Sequence, residues 1–496
     1  MELRSGRRLG SPPQGDARRR GRPLRRRSDD DHGGGGEEED WVSSLPTALL
    51  VQILSGLGST REAARTGVLS TQWRGLWPEL RRQSFSGVDP DTLLRLLGQV
   101  ARRELDRLEI RVPAGDTGVT SGQITSLLRA AEDRSPAEFI LDVRGGDGDG
   151  DGDLPFELPI FARATSMELQ VWRRSFTLPA AGEFPKLDRL ILSLCCVDPA
   201  GFLPRCPRLR VLNMCCYWVQ NEVTIGSGSL HELVLKDAPF PNEDATPQIV
   251  NIVAPELKKF KLQSSVNREL IVSLQAPKVE ELYFKYCATK CRSVGCGGYW
   301  RLLSLAMATE CCGRVLSMEI LADHGAYPAK RSFAQEIARL GLTDSSVLNL
   351  GLQAEGHAYG SIVLHLLETL TCIQRLQVVL QRNMVYFRYR DNEHNNQHYN
   401  WKYQQISLTN IKEIAIDGLN VASDHDMDLL ELLFTSAPVL QVVRIRLIVV
   451  VSRGGCARLN AIFGANASVR CYVNGRPLKQ LQNLPPDRPR RSKRMG

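Results

Sequence analysis

A chain of 496 residues with 43% apolar content can bury a large core and has room for several domains or one long repeat array. The most apolar stretch, residues 439–451, is shorter than the roughly 18–20 residues that span a bilayer, and it carries Arg444 and Arg446, so no membrane span is expected. The net charge of +8 is held in residues 1–27, where ten arginines face only Glu2 and Asp16. The remainder is close to neutral, which argues against nucleic acid as the main partner.

Residues 1–40 are of low complexity: an Arg-, Gly- and Pro-rich part, then "SDDDHGGGGEEED". Such composition cannot repay the entropy of folding. The N-terminus lacks the apolar segment of a secretory signal. "RRRGRPLRRR" has the character of a nuclear import signal and equally of a solvated biased tail. A second basic tail is expected over 481–496.

The stretch "LPTALLVQILSGLGSTREAARTGVLSTQWRGLW" predicts three short helices. Leu49, Leu50, Ile53, Leu54 and Leu57 share one helical face. Pro46 suits a first turn, and Gly56 and Gly58 end the helix. Ser59–Glu62 has the pattern of a capping box that starts a second helix. Trp73, Leu76 and Trp77 predict a third, stopped by Pro78. So small a unit cannot bury a core alone; its apolar face must be covered by the rest of the chain or by a partner.

The body carries an internal period. Leu187-x-x-Leu190-x-Leu192 is followed by Leu209-x-x-Leu212-x-Met214, Leu230-x-x-Leu233-x-Leu235, Leu257-x-x-Phe260-x-Leu262 and Val279-x-x-Leu282-x-Phe284. Looser copies stand at Leu105/Leu108/Ile110, Phe139/Leu141/Val143, Ala164/Met167/Leu169, Val315/Met318/Ile320, Ile373/Leu376/Val378, Ile411/Ile414/Ile416 and Leu440/Val443/Ile445. Several share a proline lead-in: "FPKL", "CPRL", "APEL", "APKV" and "APVL". Each L-x-L predicts a short strand that buries its apolar side only when stacked on its neighbours. The array is expected to begin soon after residue 80, with helices such as "SGQITSLLRAAED" on the opposite side. Its register is poor between Cys287 and Gln405. Exposed positions between the leucines, among them Asp188, Arg189, Arg210, His231, Glu232, Lys258, Lys259, Glu280 and Glu281, alternate in sign and name no target.

Other motifs carry little. "DGDGDGD" at 147–153 places oxygen ligands like a calcium loop, but the twelfth position is Leu158 rather than a bidentate Glu, so an acidic insertion near 145–153 is expected. Cys287, Cys291, Cys296 and Cys311 lack the tight pairs of a zinc site. The thirteen cysteines include adjacent pairs that bridge poorly, so they read as reduced thiols. His394 and His398 fall in an Asn-rich segment that reads as an exposed loop. No nucleophile elbow, zinc-protease, phosphate-loop or dinucleotide motif is present, so no cofactor, no metal and no catalytic residue is expected.

Leu45-Pro46, Leu49, Ile53-Leu54, Thr66-x-x-Leu69-Ser70-x-x-Trp73 and Leu76-Trp77 resemble an F-box, most of all the plant type that carries leucine-rich repeats. Residues 411–445 are similar to the FBD module of the same plant proteins. The resemblance implies an α+β chain: a small all-α, three-helix F-box over 41–80, an irregular α/β leucine-rich-repeat solenoid over 81–405, and FBD-like repeats over 406–480. It implies a non-catalytic substrate receptor of an SCF-type ubiquitin ligase in the nucleus or cytoplasm. A Skp-type adaptor would link it to cullin and RING subunits, and the repeats would hold an unknown protein target, with no membrane or nucleic-acid partner. Leu45, Pro46, Leu49, Leu50, Ile53, Leu54, Val68, Leu69 and Trp73 would then lie at or beside the adaptor contact. The sequence does not separate contacts from residues that hold the unit together. It departs from the family at Thr47-Ala48, where acids are usual, at Thr71-Gln72, where a basic pair is usual, and at Gly67, which weakens a helix interior. These departures keep open a second reading, a repeat scaffold whose F-box no longer binds an adaptor; an enzyme of unrecognised type is a third.

Overall fold

The computed structural model describes residues 45–68, 70–113, 118–144, 154–218, 220–238, 249–264, 271–286, 299–311, 313–323, 333–354, 359–381, 401, 405–448 and 453–477. Both charged tails, Leu69, the insertion at 145–153, Cys287, Cys291, Cys296, His394 and His398 lie outside the described residues. Every element below belongs to one compact unit that begins at Thr47.

Helix α1 spans Thr47–Ser55 and α2 spans Thr60–Arg65, followed by one 3-10 turn at Thr66–Val68. Gly58, at φ +70°, turns the chain between the helices. Two expectations are corrected here. Ser59 caps α2 by position, but its side chain makes no capping bond. The third helix is absent: residues 71–75 form turns, and Pro78 opens a single 3-10 turn at Trp77–Glu79 rather than stopping a helix. Gly75 sits at φ +81°, a left-handed backbone that breaks any helix running from Trp73 to Trp77.

Strand β1 (Arg82–Ser86) pairs in parallel with β2 (Arg107–Val112), and β2 with β3 (Glu138–Val143). Six further rungs follow in chain order, Ser166–Val171, Arg189–Cys196, Val211–Tyr217, Glu232–Asp237, Lys259–Ser264 and Glu281–Tyr286, each parallel to the last. The pairing aligns the expected motif. Leu190, Leu212, Leu233, Phe260 and Leu282 stand side by side, and Leu192, Met214, Leu235, Leu262 and Phe284 form the next row. All ten are buried. The proline lead-in has a structural reason. In "CPRL", "APEL", "APKV" and "APVL" the leucine or valine N–H donates back three residues, as Leu257 does to the Ala254 carbonyl at 3.1 Å. Proline presets the second residue of such a turn.

The poor register has two causes. An antiparallel hairpin, Tyr299–Glu310 with Gly313–Asp323, interrupts the parallel ladder. The next parallel strand, Val347–Gln353, escapes the pattern because Ser345 fills the first apolar position. Ser345 is fully buried, and its hydroxyl donates to the Leu342 carbonyl at 2.9 Å. In this ladder Leu316 and Met318 stand beside Leu348 and Leu350, so the expected copy at Met318 and Ile320 lies two residues late. Arg375–Gln381, Glu413–Leu419, Val442–Leu447 and Arg470–Val473 continue in parallel. Among the described residues the main sheet has seventeen strands.

The layer behind the sheet changes along the chain. Helices α3 (Pro90–Gln99) and α4 (Ser121–Glu132) cover the first rungs. Thr120 and Gln123 close a capping box on α4. Farther on the expected helices give way to a small parallel sheet, Glu222–Gly226, Ile249–Val253 and Ile271–Gln275. Near the C-terminus the order strand, helix Asp424–Ser436, strand matches the expected FBD-like order. Buried Asp426 accepts from the Asn420 N–H at 2.8 Å and the Ser423 hydroxyl at 2.9 Å.

Cys195, Cys196, Cys206, Cys215, Cys216, Cys311, Cys372 and Cys471 are free thiols. Burial pushes Cys195 and Cys206 up to about 12 and Cys471 up to about 11. In the unfolded chain these thiols ionise near their ordinary pKa, while the folded chain keeps them protonated. The unfolded state therefore binds fewer protons above about pH 9, and stability falls as pH rises from there toward 12. Urea titrations at pH 8 and pH 10 are expected to show the lower midpoint at pH 10; an unchanged midpoint contradicts the burial.

Candidate functional site

The two sides of α1 face different surroundings. Leu50 and Leu54 are buried, and Leu54 packs with Ala63 and Leu80, with Val51, Trp73, Leu76 and Trp77 against them. Leu49, Ile53 and Leu57, each four residues apart, remain 45%, 48% and 39% exposed. Val68, at the end of the 3-10 turn, is 86% exposed. Thus the candidate residues separate: Leu54 and half-buried Trp73 pack inside the unit, Leu50 is buried, and Leu49, Ile53 and Val68 are exposed. Leu57, which belongs with them, follows from the same i, i+4 spacing. Pro46 is exposed and Leu45 half-buried, immediately ahead of α1.

What fixes this unit to the sheet is polar. Thr60, at the start of α2, is buried, and so is Gln83 on β1. The Thr60 hydroxyl donates to Gln83 Oε1 at 3.0 Å and accepts from the Ser84 N–H at 2.7 Å. Gln83 Nε2 donates to the carbonyls of Trp77 at 2.8 Å and Leu80 at 3.1 Å. Gln83 stands beside Leu108 in the ladder, where the other rungs carry an apolar residue. Leu80-x-x-Gln83-x-Phe85 is therefore a first repeat with glutamine in the leucine place. Its amide ties α2 and the Trp77 turn to the edge strand, while the Thr60 hydroxyl satisfies the Ser84 N–H, an edge donor that would otherwise invite pairing. The Trp77 ring meets Phe85 edge-on at 6.3 Å, joining the two cores. The sequence reading missed this fastener; the polar residue inside the repeat motif was its signal.

Gly67 does not sit in a helix interior but in the 3-10 turn after α2. A Cβ there would meet the Arg74 Cα at 3.4 Å, an ordinary contact. Gly67→Ala is expected to raise stability by about 0.4–1 kcal/mol through the unfolded state; a thermal midpoint lowered by several degrees contradicts this placement.

Comparison with known proteins points the same way. Over 225 residues the chain is 28% identical to an F-box/LRR-repeat protein of Arabidopsis thaliana, covering 40% of this chain and 64% of that one. It is 24% identical over 267 residues to an Arabidopsis protein named as an F-box/FBD/LRR-repeat protein, covering 51% and 57%. It is 50% identical over 56 residues to an Arabidopsis protein named as an F-box protein, covering 11% and 44%. The chain is a relative of plant F-box/leucine-rich-repeat proteins. The matched stretches span less than two thirds of each of these F-box relatives. No protein-family model matches the chain. The FBD-like order near its C-terminus accords with the second relative. Among the described residues no helix is long and apolar enough to cross a membrane, and no group of three or more His, Cys, Asp or Glu could hold a metal.

Proposed function

We propose that this chain is the substrate-recognition subunit of an SCF-type ubiquitin ligase. In this reading residues 41–80 form the F-box and bind a Skp-type adaptor, and the repeats hold a protein target. Ubiquitin transfer is left to other subunits. The observation that carries it is the apolar set Leu49 and Ile53 on α1, with Leu57 in the turn after it, left exposed while Leu54 on the other side of the helix is already used inside the unit. Exposed leucine and isoleucine in a row are natural anchors for a partner's pockets. Val68 extends the same apolar set, whereas Leu45, Pro46 and Leu69 enter as contacts by family likeness alone. The departures at Thr71 and Gln72 lie in the turn region, and neither removes an apolar anchor.

The test is direct. Purified full-length chain mixed with Skp-type adaptors is expected to co-elute with at least one of them, and Leu45→Ala with Pro46→Ala is expected to abolish the complex. Failure to bind any adaptor form overturns the reading in favour of a scaffold without ligase output.

A further inference from the structure

The exposed side of the sheet carries charge in two different ways. Part of it cancels between neighbouring rungs. Arg107 meets Glu138 at 3.3 Å, Lys259 meets Glu281 at 3.1 Å, and Glu413 lies between Arg375 and Arg444, at 3.1 Å from each. Asp188 and Arg210 also pair. Part of the alternating charge of the sequence is thus taken up in ion pairs between rungs, and a paired position selects no partner by charge.

Lys236, Lys261 and Lys285 form a like-charged cluster outside these pairs. They lie on three consecutive rungs, and among the described residues none of their ammonium groups has a carboxylate within ion-pair distance. Lys236 and Lys285 flank Gln263 in one row across the rungs, and Lys261 stands between Val234 and Tyr283 in the adjoining row. Lys261 Nζ rests 5.0 Å from the Tyr283 ring centre. Lys261 and Lys285 are exposed, and Lys236 is half-buried. Rungs are about 4.8 Å apart, so Lys236 and Lys285 span roughly 10 Å. On an extended chain, which rises about 3.3 Å per residue, same-side carboxylates lie about 6.6 Å (two apart) or about 13 Å (four apart) from each other, either side of that span and within reach of flexible lysine stems.

We propose that this lysine trio, with Tyr283 and Gln263, is the seat for an extended acidic segment of a bound protein. The proposal rests on the reading that the repeats hold a target, and it names the chemistry of that target at one place on the sheet. A nucleic-acid strand is disfavoured because ion-paired carboxylates interrupt the sheet face on either side of the trio, whereas backbone binding needs a continuous basic track. A protein segment needs only local complementarity, with Gln263 able to donate to or accept from its backbone.

The experiment uses the full chain and a lysine-free, N-acetylated, C-terminally amidated peptide of alternating glutamate and serine. A water-soluble carbodiimide activates the peptide carboxylates. A lysine amine then attacks the activated carbon, an amide bond forms and the urea leaves. Arginine does not couple, so the arginine-rich tail adds no signal. Mass spectrometry is expected to show at least tenfold more peptide adduct at Lys236, Lys261 and Lys285 than at Lys186, Lys258 and Lys412. Lys236→Gln with Lys285→Gln is expected to cut the adduct at Lys261 at least fivefold. Even labelling of all lysines, or an unchanged Lys261 adduct in that variant, overturns the proposal. So does an oligothymidylate that suppresses the adducts at lower concentration than uncoupled peptide. The same variant is expected to co-elute with the adaptor as the parent does, so a failed seat and a failed ligase reading are told apart.

Discussion

Ile53→Asp is expected to weaken binding of a Skp-type adaptor by on the order of 100-fold, the cost of losing a central apolar anchor, while leaving the thermal midpoint within about 2 °C of the parent. The side chain is half exposed and packs in neither core cluster, so the folded chain loses little when it becomes charged. One residue on, Leu54→Ala behaves in the opposite way. Leu54 is buried against Ala63 and Leu80. Its truncation is expected to cost about 2–5 kcal/mol by lost burial and the cavity left behind. Adaptor binding then falls only as far as the unit unfolds. Isothermal titration gives the first quantity and denaturant unfolding the second. If Ile53→Asp unfolds the chain, or if Leu54→Ala leaves stability unchanged, the inner and outer assignment of α1 is reversed.

The second large effect is at Gln83. Replacing it by leucine restores the apolar pattern of the repeat and, on pattern alone, should stabilise the sheet. The structure predicts the reverse. Leucine leaves the carbonyls of Trp77 and Leu80 without the Gln83 donor and takes the acceptor from the Thr60 hydroxyl. A buried polar group left unpaired costs about 1–3 kcal/mol. Gln83→Leu is expected to destabilise the chain by about 2–4 kcal/mol and to speed amide exchange over residues 47–80 before the later rungs. Thr60→Val should act in the same direction, and the double variant should cost less than the sum, because the two groups share one bond. Additive costs sink the idea that they form one network.

What the sequence made legible follows from what periodicity can carry. The L-x-x-L-x-L copies at Leu187 through Phe284 stand in the ladder as predicted, because a period-two strand with one buried face leaves no other register. The FBD-like order was readable for the same reason. The hairpin Tyr299–Asp323 was not, since two long apolar strands show no repeat period. The strand at Val347 was hidden by Ser345, which replaces burial of a leucine by a hydroxyl bond to its own turn. The expected third helix failed at Gly75, whose left-handed backbone outweighs the i, i+3, i+4 placement of Trp73, Leu76 and Trp77. At the candidate site, the composition of α1 gave the apolar residues. Only the fold could divide them, because Ile53 and Leu54 are adjacent on the same broad face and the burial of Leu54 is decided by where Ala63 and Leu80 come to rest.

Hydrogen–deuterium exchange of the full chain, with and without a purified Skp-type adaptor, tests the central claim most directly. Adaptor is predicted to slow exchange over residues 47–68 and to leave the rungs from Arg189 to Tyr286 unchanged. Slowing confined to those rungs, with none over residues 47–68, would contradict it.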